Sequence, residues 1–179
     1  NRTIGWTTRN AFEGTPGAVS DSCQTHLYHL RACAKAVAEG YNLILFFSSS
    51  YEGASNFHQA RHPVVDEAYN AIAALRNNPR VFSVENLLYS DYLQVLRKTS
   101  VVIPLNGLGS TTEALRLGSL PMSWGHGAEL FDNFSYSPTL YDRLSYGEIE
   151  DRLFRCLSDK NHYEQEYSRI FSKTAIYSV

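Results

Sequence analysis

The stretch that most constrains this chain runs from Ser100 to Glu129 and reads SVVIPLNGLGSTTEALRLGSLPMSWGHGAE. Val101-Val102-Ile103-Pro104-Leu105 has the length and β-branched content of a buried strand, and it stops at the glycine turn Asn106-Gly107-Leu108-Gly109. Ser110, Thr111 and Thr112 then offer N-cap oxygens, and Glu113 to Leu117 reads as a short helix closed by Gly118. A second apolar run, Leu120 to Trp124, follows at once. Strand, turn, helix and strand make a βαβ unit, whose strands run parallel because a crossover separates them. The first turn of such a unit presents backbone N–H groups at a helix N-terminus, where a phosphate is bound favourably.

The same alternation precedes it. Thr3–Thr7 reads as a first strand, and Thr8 to Ser20, rich in Gly, Pro, Thr and Asn, as the loop after it. From Asp21 to Glu39, Leu27, Leu30, Ala34 and Val37 recur at helical spacing, with Asp21 or Ser22 as cap and Gly40 as stop. Leu43 to Phe47 is apolar throughout, which suits a strand covered on both faces. Ser48 to His62 is a polar loop, Pro63 opens a helix to about Asn77, and Arg80 to Val84 is a third strand. Ser90 is the expected cap of the next helix, with Tyr92, Leu93, Val95 and Leu96 as its apolar stripe. Beyond Trp124 an irregular aromatic segment extends to Ser145, and helices over Glu148–Leu157 and Asn161–Lys173 close the chain. The fold expected is an α/β domain spanning residues 1–179, a doubly wound, mostly parallel sheet of about five strands with helices on both faces.

Composition narrows the partners. With 44% hydrophobic and 19% charged residues the chain can bury a full core, and a formal charge of -2 gives no reason to expect nucleic acid. Three cysteines without a CxxC pair indicate neither a disulfide framework nor a zinc site. No apolar run approaches the roughly 20 residues of a membrane span. The chain has no initiator Met or signal pattern, so a processed chain or an excised domain is expected. Asn1-Arg2-Thr3 and Asn133-Phe134-Ser135 are sequons, usable only in a secretory lumen, and the compartment stays open between that lumen and the cytoplasm.

A doubly wound sheet binds ligands at its switch point, which places the loops after the first and fourth strands side by side. Arg9 would then face the glycine turn, a cation and a nest of N–H groups converging on one anion. Neither GxxxxGK[ST] nor GxGxxG is present. Asn106, Gly107, Gly109, Ser110, Thr111 and Thr112 remain as the candidate anion site; a tight turn with a capped helix would account for the glycines, yet three hydroxyls exceed what one cap requires. Glu113 is expected in the first helical turn, where its charge suits the dipole, or where it accepts hydrogen bonds from both hydroxyls of a ribose. Gly125, His126, Gly127 and Glu129 follow the fifth strand to the same edge; His126 either meets a leaving phosphate or is merely solvated. Tyr28, His29 and the other tyrosines read as structural.

Ser110-Thr111-Thr112-Glu113-Ala114 followed by Leu117-Gly118-Ser119-Leu120-Pro121 resembles the signature of small residues, Glu-Ala and Gly-x-Pro in the carboxy-terminal, donor-binding half of GT-B glycosyltransferases. The resemblance implies a nucleotide diphosphate sugar as donor, with UDP as the expected nucleotide. It implies pyrophosphate on Gly107, Gly109, Ser110 and Thr111, and ribose on Glu113. The loop with Arg9 and Gly14 looks like the glycine-and-basic loop that opens this half, and the segment after Trp124 like the sugar-contacting loop. No acidic DxD triplet offers a metal, and none is required where N–H groups and Arg9 meet the leaving phosphate. His62-Pro63, Asn78-Pro79-Arg80-Val81 and Tyr89-Ser90-Asp91-Tyr92-Leu93 are similar to non-hydrolysing UDP-N-acetylglucosamine 2-epimerases. Pro121 and Glu129-Leu130-Phe131 look rather like exostosin-type transferases. The epimerases' Asp-Ser-Gly-Gly is replaced here by Asn106-Gly107-Leu108-Gly109, and their Arg-rich sugar motif by Gly125-His126-Gly127. An acceptor-binding, amino-terminal domain and its catalytic base are expected elsewhere. The alternatives are epimerase or hydrolase chemistry on the same donor, or a non-catalytic nucleotide-sugar-binding domain.

Overall fold

Five parallel strands form one sheet in the computed structural model, which describes residues 2–7, 19–47, 63–103, 108–122 and 145–174. They are β1 (Thr3–Thr7), β2 (Asn42–Phe47), β3 (Val81–Glu85), β4 (Val101–Ile103) and β5 (Leu120–Pro121), in the order β3-β2-β1-β4-β5. The helices are α1 (Val19–Ala38), α2 (Pro63–Arg76), α3 (Tyr89–Leu96), α4 (Leu108–Arg116), α5 (Tyr146–Ser158) and α6 (Lys160–Thr174). Every adjacent strand pair is parallel, so each connection is a crossover, and the expected doubly wound α/β architecture is the one observed.

Successive strand residues alternate between two covered faces. Ile4, Trp6, Leu43, Leu45, Val101 and Ile103 meet Leu27, Leu30, Cys33 and Val37 of α1, Ile72 and Leu75 of α2, Ile149 and Leu153 of α5 and Ile170 of α6. On the opposite face Ile44, Phe46 and Val102 meet Leu96 of α3 and Ala114 of α4, a smaller cluster. Covered on both faces, Leu43 to Phe46 of β2 and Val101 to Ile103 of β4 read as unbroken apolar runs, whereas β3 at the sheet edge is largely exposed, and each large side chain removed from water contributes roughly 1.5–3 kcal/mol. Gly5 sits centrally in β1, where an added Cβ would lie 2.8 Å from Thr99 Cγ2 and 3.3 Å from Phe46 Cε2. That closeness allows the α3-to-β4 connection to lie directly on β1.

The helix ends follow from local chemistry where the helix only packs. Gly40 and Gly118 take φ of +100° and +87°, and each ends its helix with a pair of back-bonds: Tyr41 N–H to Ala36 O at 3.0 Å with Gly40 N–H to Val37 O at 3.0 Å, and Ser119 N–H to Ala114 O at 2.8 Å with Gly118 N–H to Leu115 O at 3.1 Å. At α5, Ser145 and Glu148 form a reciprocal capping box. Asp159 Oδ1 accepts the His162 N–H at 3.0 Å and so caps α6.

Helix α6 is tied across the end of the sheet. The Tyr163 hydroxyl donates to Ser100 O and Gly118 O, both at 3.0 Å, and the Tyr167 hydroxyl to Leu115 O at 2.6 Å. Tyr163, Tyr167 and Phe171 stack along the helix at 6.2 and 5.8 Å between centroids, and the Arg2 guanidinium lies 4.4 Å over the Tyr163 ring. Cys33 and Cys156 are buried core residues, and burial pushes their thiols up to about 12 and about 11, which disfavours the thiolate. Among the described residues no helix is long and apolar enough to cross a membrane.

Candidate functional site

The strand order places the point at which the sheet reverses its winding. β1 pairs with β2 on one side and with β4 on the other, with Gly5 opposite Val102 and Trp6 opposite Ile103, so the chain reverses its winding between β1 and β4. The carboxyl ends of these two strands lie side by side at one edge, the arrangement the sequence predicts for a switch point. Arg9, Asn106, Gly107, Gly125, His126, Gly127 and Glu129 lie outside the described residues. The sequence-named residues that the structure does describe are those of α4.

Helix α4 starts earlier than its sequence suggests. Its first residue is Leu108, so Gly109, Ser110 and Thr111 belong to the first turn, where a separate cap was expected from the hydroxyls. Glu113 is consequently in the second turn, and the expectation that it meets the helix dipole at the first turn is corrected. Thr111 is buried, Thr112 and Glu113 are partly buried, and Ala114 anchors the helix to the sheet. Behind the helix, Thr99 Oγ1 donates to Leu96 O at 2.7 Å and Ser119 Oγ to Thr99 O at 2.8 Å. The two hydroxyls stand 2.9 Å apart, which locks the start of β4 to the end of α4.

Glu113 faces a neighbour that sequence reasoning did not supply. The Tyr89 hydroxyl, at the first residue of α3, donates to Glu113 Oε1 at 2.7 Å. Tyr89 stacks on Tyr92 with centroids 6.2 Å apart, and Tyr92 meets Phe46 of β2 edge-on at 5.5 Å. The bond to Glu113 raises the Tyr89 phenol above its ordinary value. Burial, and then the charge of Glu113, raise Tyr92 as well. Sequence periodicity places Tyr92 in an apolar stripe and reads Tyr89 as structural. The available signal was two tyrosines three residues apart at the start of a helix that follows a strand, which puts both phenols on one face at the carboxyl edge.

The corner carrying Tyr89 departs from ordinary helix-start chemistry. Ser90 was the expected cap, but the N-cap is Leu88, with φ of −59°, ψ of 150° and no side-chain cap bond. Asn86 has φ of 50°, and Leu87, Leu88 and Tyr89 are exposed at 37%, 73% and 63%. The α3 start and the second turn of α4 therefore meet at the carboxyl edge of the sheet, one carrying exposed apolar groups and the other a carboxylate held by a phenol. Among the described residues no group of three or more His, Cys, Asp or Glu is placed to hold a metal ion.

Comparison with solved structures fits this geometry. A trehalose-6-phosphate synthase, OtsA, superposes with a TM-score of 0.63 at 8% identity over 97% of this chain and 40% of its own. A putative UDP-N-acetylglucosamine 2-epimerase from Listeria monocytogenes gives 0.59 at 18% identity over 99% of this chain and 43% of its own. An O-GlcNAc transferase from Thermobaculum terrenum gives 0.60 at 13% identity over 99% of this chain and 32% of its own. This is the fold of a GT-B domain. At such identities the likeness concerns the fold alone, and the chain spans less than half the length of each of these structures. No family model matches the sequence, and no curated protein matches it.

Proposed function

We propose that this chain is the donor-binding domain of a glycosyltransferase and holds a nucleotide diphosphate sugar, with UDP as the expected nucleotide. The observation that carries the reading is the Glu113 carboxylate on α4, beside the β1/β4 switch point of a GT-B fold, with its Oε1 already ordered by Tyr89 at 2.7 Å. In this reading Glu113 accepts hydrogen bonds from the ribose hydroxyls. The N–H groups from Gly107 to Thr111, with Asn106, Thr112 and Arg9, meet the pyrophosphate, and fixed donors of this kind act most strongly as charge develops on the leaving phosphate. His126 and Glu129, flanked by Gly125 and Gly127, approach the sugar. No metal is required for that departure. The domain partner that binds the acceptor and supplies a base lies outside this chain, in keeping with solved relatives more than twice its length.

The test is a thermal-shift panel of UDP, GDP, CDP, ADP and buffer. A specific diphosphate at 100 times its dissociation constant adds about 2.7 kcal/mol. Glu113→Ala should remove the shift and leave the melting temperature without ligand unchanged. Binding that survives in Glu113→Ala overturns the ribose assignment. The likeness to an epimerase favours a second reading, epimerase or hydrolase chemistry on the same donor. It predicts turnover of a nucleotide sugar with no acceptor present, whereas transfer requires one.

A further inference from the structure

Glutamate side chains turn about several bonds, so a carboxylate that must accept two hydroxyls in one plane binds best when its plane is already fixed. Here a continuous relay fixes it. Phe46 belongs to the buried sheet face, Tyr92 packs edge-on to it at 5.5 Å, and Tyr89 stacks on Tyr92 at 6.2 Å. The Tyr89 hydroxyl ends the relay on Glu113 Oε1 at 2.7 Å. Tyr89 takes one lone pair of Oε1, and Tyr92, also hydrogen-bonded to Glu113, takes another, so the carboxylate keeps two of its four acceptor positions for a ligand. The relay is built at a cost to its own helix, since α3 begins at Tyr89 behind an N-cap, Leu88, that offers no side-chain bond, and follows Asn86 at positive φ.

We propose that Tyr89 is a positioning residue for Glu113, holding the carboxylate in the plane that receives both hydroxyls of a ribose and so setting a preference for ribonucleotides over dideoxynucleotides. This rests on the reading of Glu113 given above. It assigns the phenol no contact with the reacting atoms and no proton transfer.

The experiment is calorimetric titration of the full chain with UDP, GDP, CDP and ADP, each beside its 2′,3′-dideoxy counterpart, for the wild type, Tyr89→Phe and Glu113→Ala. The wild type should bind one ribonucleotide about tenfold or more tightly than its dideoxy form, and Glu113→Ala should bind the two equally. Tyr89→Phe should lose about threefold to tenfold of affinity for the ribo form alone, as expected for one hydrogen bond. Its affinity for the dideoxy form and its melting temperature should not move, which separates positioning from a general effect on the fold. If Tyr89→Phe keeps the wild-type ratio, or binds the ribo form more tightly, the positioning role is overturned while the Glu113 site stands. If Glu113→Ala keeps the ratio, or no diphosphate binds the wild type, the site reading fails and the role of Tyr89 fails with it.

Discussion

Helices α5 and α3 begin in opposite ways. At α5, Ser145 takes an extended φ of −68° and ψ of 159°, accepts the Glu148 N–H and receives the Glu148 carboxylate on its own N–H at 2.7 Å. At α3, Leu88 takes nearly the same backbone angles, −59° and 150°, with no side-chain oxygen to offer. Both starts leave the same orphan N–H groups, so the backbone demand is equal and only the side chains differ. Helix α5 buries Ile149, Leu153, Cys156 and Leu157, and its start has nothing to do but cap. The α3 start stands at the carboxyl edge of the sheet and carries Tyr89 to Glu113. Local rules hold where an element only packs and give way where its residues have another partner.

The contrast can be broken at several strengths. The largest effect belongs to the packing side: Leu153→Ala, at a fully buried site, should lower unfolding free energy by about 3 kcal/mol in urea titration, and a value under 1 would mean that α5 is not core. Gly5→Ala should cost about 1–3 kcal/mol, because the new methyl meets a threonine already held by hydrogen bonds to Leu96 and Ser119. Ser145→Ala should lose about 1 kcal/mol, whereas Leu88→Ser should gain up to about 1 kcal/mol by supplying the missing cap. Should Leu88→Ser stabilise the chain and leave nucleotide binding untouched, the exception at α3 has no functional meaning.

The smallest effect is an acid-range pH dependence from carboxylates of α5 and the start of α6. The Ser145 N–H holds Glu148 below its ordinary value, and the His162 N–H does the same for Asp159. Depressed carboxylates contribute stability that is complete above their unfolded values, 4.5 and 3.8, and is lost as pH falls through the lower folded ones. Melting temperature followed from about pH 6 to about pH 2 should fall in the acid range, and Glu148→Gln should flatten part of that fall. An unchanged profile in Glu148→Gln would show that the box does not hold α5.

Much of the fold was legible because both sheet faces are buried. Thr3–Thr7 matches residue for residue, and Leu43 to Phe47 is unbroken because Leu43 and Leu45 face α1 while Ile44 and Phe46 face α3. The neighbouring of β1 and β4 followed from crossover handedness and is observed. What failed was set by distant contacts. Ser90 has the better capping side chain, but Tyr92 and Leu96 must meet Phe46 and the sheet, and that fixes the register one turn of reasoning away from any cap rule. Leu108 and Gly109 read as turn and Ser110 as a cap, yet the helix already includes all three. Tyr89 and Glu113 are 24 residues apart, so no periodic pattern joins them.

The ties made by α6 also bear on synthesis. Tyr163 and Tyr167 reach Ser100, Leu115 and Gly118 over separations of 63, 52 and 45 residues, and Arg2 donates to Cys156 O across 154. Ribosomes make the β4-α4-β5 unit well before these partners, so its outer carbonyls face water until the last helix emerges. Closure of the sheet's far edge thus waits until Tyr163 and Tyr167 have emerged, and a nascent chain halted before Tyr163 would carry β4, α4 and β5 without the clamp that ties them together.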